Sequence, residues 1–109
     1  MPESGGESIW VRADRKNVKI LIDDIDYIEG LKDYVKIYVK NGLIISKMPM
    51  KNMEKILPSE GFIRIHRSYL VPISKISAFN NEGIEIDSAV LPIGKMYKES
   101  VIRYLEEYI

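Results

Sequence analysis

The sequence predicts an α+β fold, mainly β: about eight to ten short strands in small antiparallel sheets, with one short central helix and a C-terminal helix. Two observations carry this. Short runs of β-branched and aromatic residues recur between turn residues along most of the chain, and only two segments space their apolar residues with a helical period. At 109 residues the chain fits one domain, and folding should bury roughly 65% of the surface an unfolded chain exposes. A real core is therefore possible, and a second domain is not expected.

Residues 1–8 combine Pro, Ser, Gly and Glu with a single Met, a composition that buries no apolar surface and reads as a flexible linker or cloning remainder. The domain is expected over residues 9–109. Strands follow at Ile9–Ala13, Asn17–Ile22 and Ile25–Ile28, each bounded by charged or turn residues. The best-marked strand is Tyr34–Lys40, where Val35, Ile37 and Val39 alternate with Tyr34, Lys36, Tyr38 and Lys40. One of its faces is apolar, the other basic and aromatic. Asn41-Gly42 then suits a type I′ turn, so Leu43–Ser46 should return antiparallel.

Pro49 suits the first turn of a helix, and Met50, Met53, Ile56 and Leu57 recur at spacings of three and four before Pro58 stops it. The methionines at that spacing read as core packing. Strands are expected at Phe62–Ile65 and Ser68–Val71, separated by His66-Arg67, and again at Ile76–Phe79. Asn80–Gly83 marks a turn into Ile84–Ile86, and Ala89–Leu91 is a further short strand. From Lys95 onward the chain reads as helix, with Tyr97, Val101, Tyr104, Leu105 and Tyr108 on one stripe.

Composition excludes several function classes. There is no Cys, hence no disulfide framework, thiolate nucleophile or zinc-finger ligand set, which suits a reducing compartment. The N-terminus lacks the features of a secretory signal, and no run reaches the ~18 apolar residues of a membrane span. A cytoplasmic location is expected. The formal net charge is zero, from 16 Lys+Arg and 16 Asp+Glu, but these charges are unevenly distributed. Residues 1–30 sum to −3, residues 31–75 to +6 and residues 76–109 to −3. The middle block holds Lys32, Lys36, Lys40, Lys47, Lys51, Lys55, Arg64, Arg67 and Lys75 against Asp33, Glu54 and Glu60. Neutrality is an average over a basic centre and acidic flanks.

The constellations of an enzyme are missing. There is no nucleophile elbow, no phosphate-binding glycine loop and no His-Glu-x-x-His, and one histidine does not make a histidine-based metal site. Asp23, Asp24 and Asp26 form the densest acidic cluster, at a spacing that matches no oxygen-ligand loop, and read as a solvated turn. Neither a cofactor nor a metal is expected. Binding chemistry is better supported. In Phe62-Ile-Arg-Ile-His-Arg-Ser-Tyr-Leu-Val71, Arg64, His66, Arg67 and Ser68 bring forked guanidinium donors and a hydroxyl to one strand–turn–strand, suited to phosphate or to guanine O6/N7. His66 reads as a structural imidazole or a phosphate contact rather than a metal ligand. Gly30-Leu-Lys-Asp-Tyr34 and Gly94-Lys95 are two further candidate loops.

In order along the chain, Tyr27-Ile-Glu-Gly-Leu-Lys-Asp-Tyr-Val-Lys-Ile-Tyr38, Met50–Pro58, Gly61–Val71 and Leu91-Pro-Ile-Gly-Lys-Met-Tyr97 closely resemble the LytTR-type DNA-binding domain, from about Ile9 to Ile109. The Phe-x-Arg-x-His-Arg-Ser-Tyr string is the most specific part. The resemblance implies a mainly β fold in which loops, not a recognition helix, enter successive major grooves. It implies base-reading side chains near Lys32, Asp33 and Tyr34, at Arg67 and at Lys95. Arg64, His66, Ser68, Lys36 and Lys51 are then candidates for phosphate contact or support. It also implies a double-stranded DNA partner with paired direct repeats, a dimer on DNA, and a place as the bacterial output domain of a two-component phosphorelay response regulator, after an upstream receiver. Two positions depart from the family pattern: Pro72 where Asn is usual, and Gly94-Lys95 where Ser-Arg is common. The expected function is sequence-specific DNA binding in a transcriptional regulator, without catalysis. The alternative is a protein- or ligand-binding β module with a basic face.

Overall fold

A computed structural model of the chain describes residues 7–58, 60–87 and 89–108; the linker expected over residues 1–8 lies outside them up to residue 6. The first described element is a hairpin of β1 (Ser8–Ala13) and β2 (Lys16–Leu21). Its two-residue loop, Asp14-Arg15, has φ of 54° and 63°, the twin positive values of a type I′ turn. The strand starts at Ser8, and the carbonyl of Glu7 accepts the N–H of Ile22 at 3.0 Å, so the ladder extends past the expected boundary.

After one 3₁₀ turn at Ile22–Asp24 come β3 (Ile25–Leu31), β4 (Tyr34–Val39) and β5 (Gly42–Ser46). The acidic cluster thus starts in a turn, as expected. The β4–β5 connection differs from the sequence reading. Val39 pairs with Gly42, which makes Lys40-Asn41 the loop, and neither residue has positive φ; Gly42 alone does. Lys40 N–H instead donates to the carbonyl of Asp24 at 2.9 Å, tying the two turns together.

Helix α1 (Met50–Ile56) follows, with Pro49 as its cap in extended conformation. Met50, Met53 and Leu57 are buried, whereas Ile56 is 42% exposed. In so short a helix, position 56 lies about 90° from the line through the other three, outside the buried stripe. The chain returns through β6 (Phe62–His66) and β7 (Tyr69–Pro72), a second 3₁₀ turn at Ile73–Lys75, and the short strands β8 (Ala78–Phe79), β9 (Gly83–Ile86) and β10 (Ala89–Pro92). Helix α2 (Lys98–Glu106) begins three residues later than expected. It buries Val101 and Leu105, while Tyr104 and Tyr108 leave the expected stripe and pack on each other at the surface, ring centroids 5.5 Å apart. No helix among the described residues is long and apolar enough to cross a membrane.

The strands form three antiparallel sheets: β1-β2, β10-β9-β8, and a central β5-β4-β3-β7-β6. Each face of the central sheet covers a separate core. On one face, Ile25, Ile28, Val35, Ile37 and Leu70 pack with Ile9, Val11 and Ile20 of the first hairpin and with Met50 and Met53 of α1. On the other, Ile65 and Val71 pack with Ile84, Ile86, Leu91, Val101 and Leu105. Pro72 is accommodated at the end of β7. Ile73 N–H donates to Gly61 O at 2.8 Å, so by strand alternation the N–H missing at Pro72 would have pointed to the β3 side. There, β7 pairs with β3 only through Ile28–Leu70 and Glu29–Tyr69.

Candidate nucleic-acid interface

The β3–β4 and β6–β7 turns emerge at the same end of the central sheet, because β3 and β7 are antiparallel neighbours. The second turn is built around a bulge. Arg64 pairs with Leu70 and His66 with Tyr69, which leaves Ile65 as the extra residue on β6. Ile65 is fully buried in the second core. Beyond it, Arg64 faces the other way and reaches along the turn: Nε donates to His66 O at 2.9 Å, Nη2 to Arg67 O, and Nη1 to Glu54 Oε1 of α1 at 2.7 Å. Its guanidinium is therefore held by three protein acceptors, which places it as support for the turn. His66 is also tied inward, its Nδ1 accepting Ser68 N–H at 3.0 Å and its ring lying 5.4 Å from that of Tyr69. Between these fixed residues, Arg67 projects exposed.

The first loop is joined to this turn directly. Gly30 N–H donates to Ser68 O at 2.8 Å. Gly30, Leu31, Lys32, Met50, Arg67 and Ser68 line an open cleft of about 410 Å³ between them. A Cβ on Gly30 would stand 3.1 Å from Met50 Cε and 3.2 Å from its Cβ, so the absent side chain lets α1 approach. Lys32, Asp33 and Tyr34 are exposed, and of the three Lys32 lines the cleft.

The third loop joins through the bulge. Gly94 N–H donates to the carbonyl of Ile65 at 2.8 Å. A Cβ at position 94 would meet Tyr97 Cδ2 at 3.0 Å and His66 Cα at 3.3 Å. Lys95 is exposed in the turn beside His66, before α2 begins. Two backbone hydrogen bonds thus gather the three candidate loops at one edge. Lys36 and Lys51 do not join them in one patch: Lys36 lies half-buried on one face of the sheet, opposite Glu29, and Lys51 is exposed on α1 against the other.

The ion pairs sort the basic residues. Arg64 pairs with Glu54, and Lys75 with Asp26 at 3.0 Å while also donating to Ile25 O. Among the described residues Lys32, Arg67 and Lys95 form no ion pair, as is true of most other lysines and arginines of the chain, so what distinguishes these three is that their loops meet at one edge.

Behind the loops, on the Lys36 face, Tyr27 stacks on Tyr38 at 4.4 Å, and the hydroxyls of Tyr38 and Tyr69 donate to the two oxygens of Glu29 at 3.2 and 3.5 Å. Burial, then the adjacent Glu29 carboxylate, pushes Tyr38 up to about 12 and raises Tyr27 and Tyr69 above the usual 10.0. Folding thus favours the neutral phenol. The resulting stability is present below the unfolded value and is lost as pH rises toward 12. A spectrophotometric phenolate titration is expected to show a late-ionising fraction in native protein that Tyr38→Phe reduces; identical native and denatured curves would contradict it.

One residue of this edge, Glu54, escapes the sequence reading. The available signal is that Glu54 is the only acid between Asp33 and Glu60, inside the most basic stretch.

Comparison with known proteins agrees with this architecture. The family model described as the LytTr DNA-binding domain matches residues 15–105. A solved structure described as the LytTr DNA-binding domain of a methyl-accepting/DNA response regulator from Bacillus cereus is 20% identical, covers 91% of this chain and 95% of its own, and superposes with a TM-score of 0.74. No curated protein matches the sequence. With more than half of its residues matched by the family model and the three-sheet fold shared, this chain belongs to the LytTr DNA-binding domain family.

Proposed function

We propose that this domain binds duplex DNA sequence-specifically, as the output domain of a bacterial response regulator acting in the cytoplasm. The observation that carries this reading is the gathering of three loops at one edge by the Gly30–Ser68 and Gly94–Ile65 hydrogen bonds, with Lys32, Arg67 and Lys95 exposed and unpaired there. Loops set on a rigid sheet can enter a major groove without a recognition helix. Arg67 is the main base reader, because an exposed guanidinium fork matches guanine O6/N7. Lys95 and the Lys32–Tyr34 loop assist, with Lys95 giving a point charge where a fork would discriminate more sharply. Lys51, Lys36 and Ser68 serve the phosphates, while Arg64 and His66 hold the turn. Two copies on paired direct repeats raise the affinity of a domain whose flanks are acidic. No catalytic role is assigned.

Salt titration of a labelled duplex by fluorescence anisotropy tests the reading. If Lys36 and Lys51 each neutralise one phosphate, log K falls with log salt at a slope near −1.8, or about 12-fold between ~50 and ~200 mM. A binding module for an acidic protein or ligand would show no duplex binding at low salt.

A further inference from the structure

The geometry points to Glu54 as a positioning residue for the Arg67 turn, acting through Arg64; this rests on the DNA-reading role proposed for that turn. Helix α1 touches both loops of the cleft from one side. Met50 lies under Gly30, and Glu54, four residues on and so on the same helix face, binds Arg64 at 2.7 Å. Arg64 in turn donates to the carbonyls of His66 and Arg67, two consecutive groups of that turn. Fixing both carbonyls fixes the peptide planes on either side of the Arg67 side chain.

Glu54 serves this in two ways. It orients the guanidinium so that Nε and Nη2 face the turn, and it neutralises a cation that a nearby phosphate would otherwise draw out of place. The pair is partly open to solvent, with side chains 21% and 37% exposed, so it adds little to folding; its effect is on the order of the turn. A turn already ordered before DNA arrives loses less freedom on binding, and affinity for the matched site rises accordingly.

Removing an acid from the edge of a DNA-binding surface should, by charge alone, strengthen binding to every duplex. Glu54→Gln is expected instead to lower affinity for a duplex selected from a random pool by about fivefold to tenfold, while affinity for a scrambled duplex stays level or rises. Arg64→Lys, which keeps the charge and loses the fork, should act alike with an unchanged salt slope, and Glu54→Asp should recover part of the loss. Without DNA, amide hydrogen exchange at Ser68, whose N–H is held by His66 Nδ1, should quicken in Glu54→Gln while exchange in β3 and β4 does not. Tighter binding of Glu54→Gln to both duplexes, or a salt slope lower by about one in Arg64→Gln, would show that Arg64 is a phosphate contact restrained by Glu54 and overturn the proposal. Unchanged exchange at Ser68 would overturn it as well. If the native chain binds no duplex, the DNA reading fails separately, and the exchange comparison still decides the coupling.

Discussion

Arg67→Ala should lower the ratio of specific to non-specific duplex affinity by about 1–3 kcal/mol, the discrimination that one bidentate arginine–guanine pair supplies. The expectation is specific to Arg67 among the arginines of its strand and turn. Arg64 is engaged by Glu54 and two carbonyls, and truncating it would disturb the turn as a whole. Arg67 gives its carbonyl to that scaffold and keeps its side chain exposed, so removing the side chain leaves the turn in place. Competitive anisotropy with the selected and scrambled duplexes reads the ratio, and thermal melts show that the fold is intact. A ratio equal to that of the native chain would end the base-reading role. Equal weakening on both duplexes, with the salt slope lower by about one, would make Arg67 a phosphate contact instead.

Ile65→Ala should cost about 2–5 kcal/mol of folding stability, the range for emptying a fully buried aliphatic site. Ile65 is 0% exposed and packs in the core shared by Val71, Ile84, Leu91 and Val101. As the extra residue of the β6 bulge it also fixes where the strand turns, and its carbonyl holds Gly94. Urea unfolding followed by tryptophan fluorescence and circular dichroism checks the value. Ile56→Ala serves as control, since Ile56 is 42% exposed and should change stability little. A loss below about 1 kcal/mol for Ile65→Ala would mean that the second core does not depend on the bulge.

Much of the fold was legible where one physical rule acts locally. The alternation of β4 identified its buried residues Val35 and Ile37, and the Pro49–Pro58 frame gave α1. Turn residues combined with basic charge marked the three candidate loops, but not the backbone hydrogen bonds that bring them to one edge. Where the reading missed, a partner distant in sequence decides the outcome. Asn41-Gly42 did not form the I′ turn, because Val39–Gly42 pairing shifts the loop by one residue and Asp24 captures Lys40 N–H. Tyr104 and Tyr108 fit a helical stripe but are exposed because Val101 and Leu105 already occupy the sheet-facing side. Glu54 acquires its meaning only when β6 returns beside α1. Periodicity carries no information about that encounter.

The pairing of β3 with β7 has a kinetic meaning. All other sheet neighbours in the described residues are also consecutive in the chain, so their hairpins can close through short loops. Joining Glu29 to Tyr69 bridges 40 residues, at an entropic cost of about 3 kcal/mol that no local contact offsets beforehand. As the one strand pairing here that no short loop can close, this seam is expected to form after the hairpins on either side of it. The hydrogen bond from Gly30 to Ser68 lies at the same seam, so the cleft between the first two loops forms only when the halves of the chain meet, and it is among the first features lost when they part.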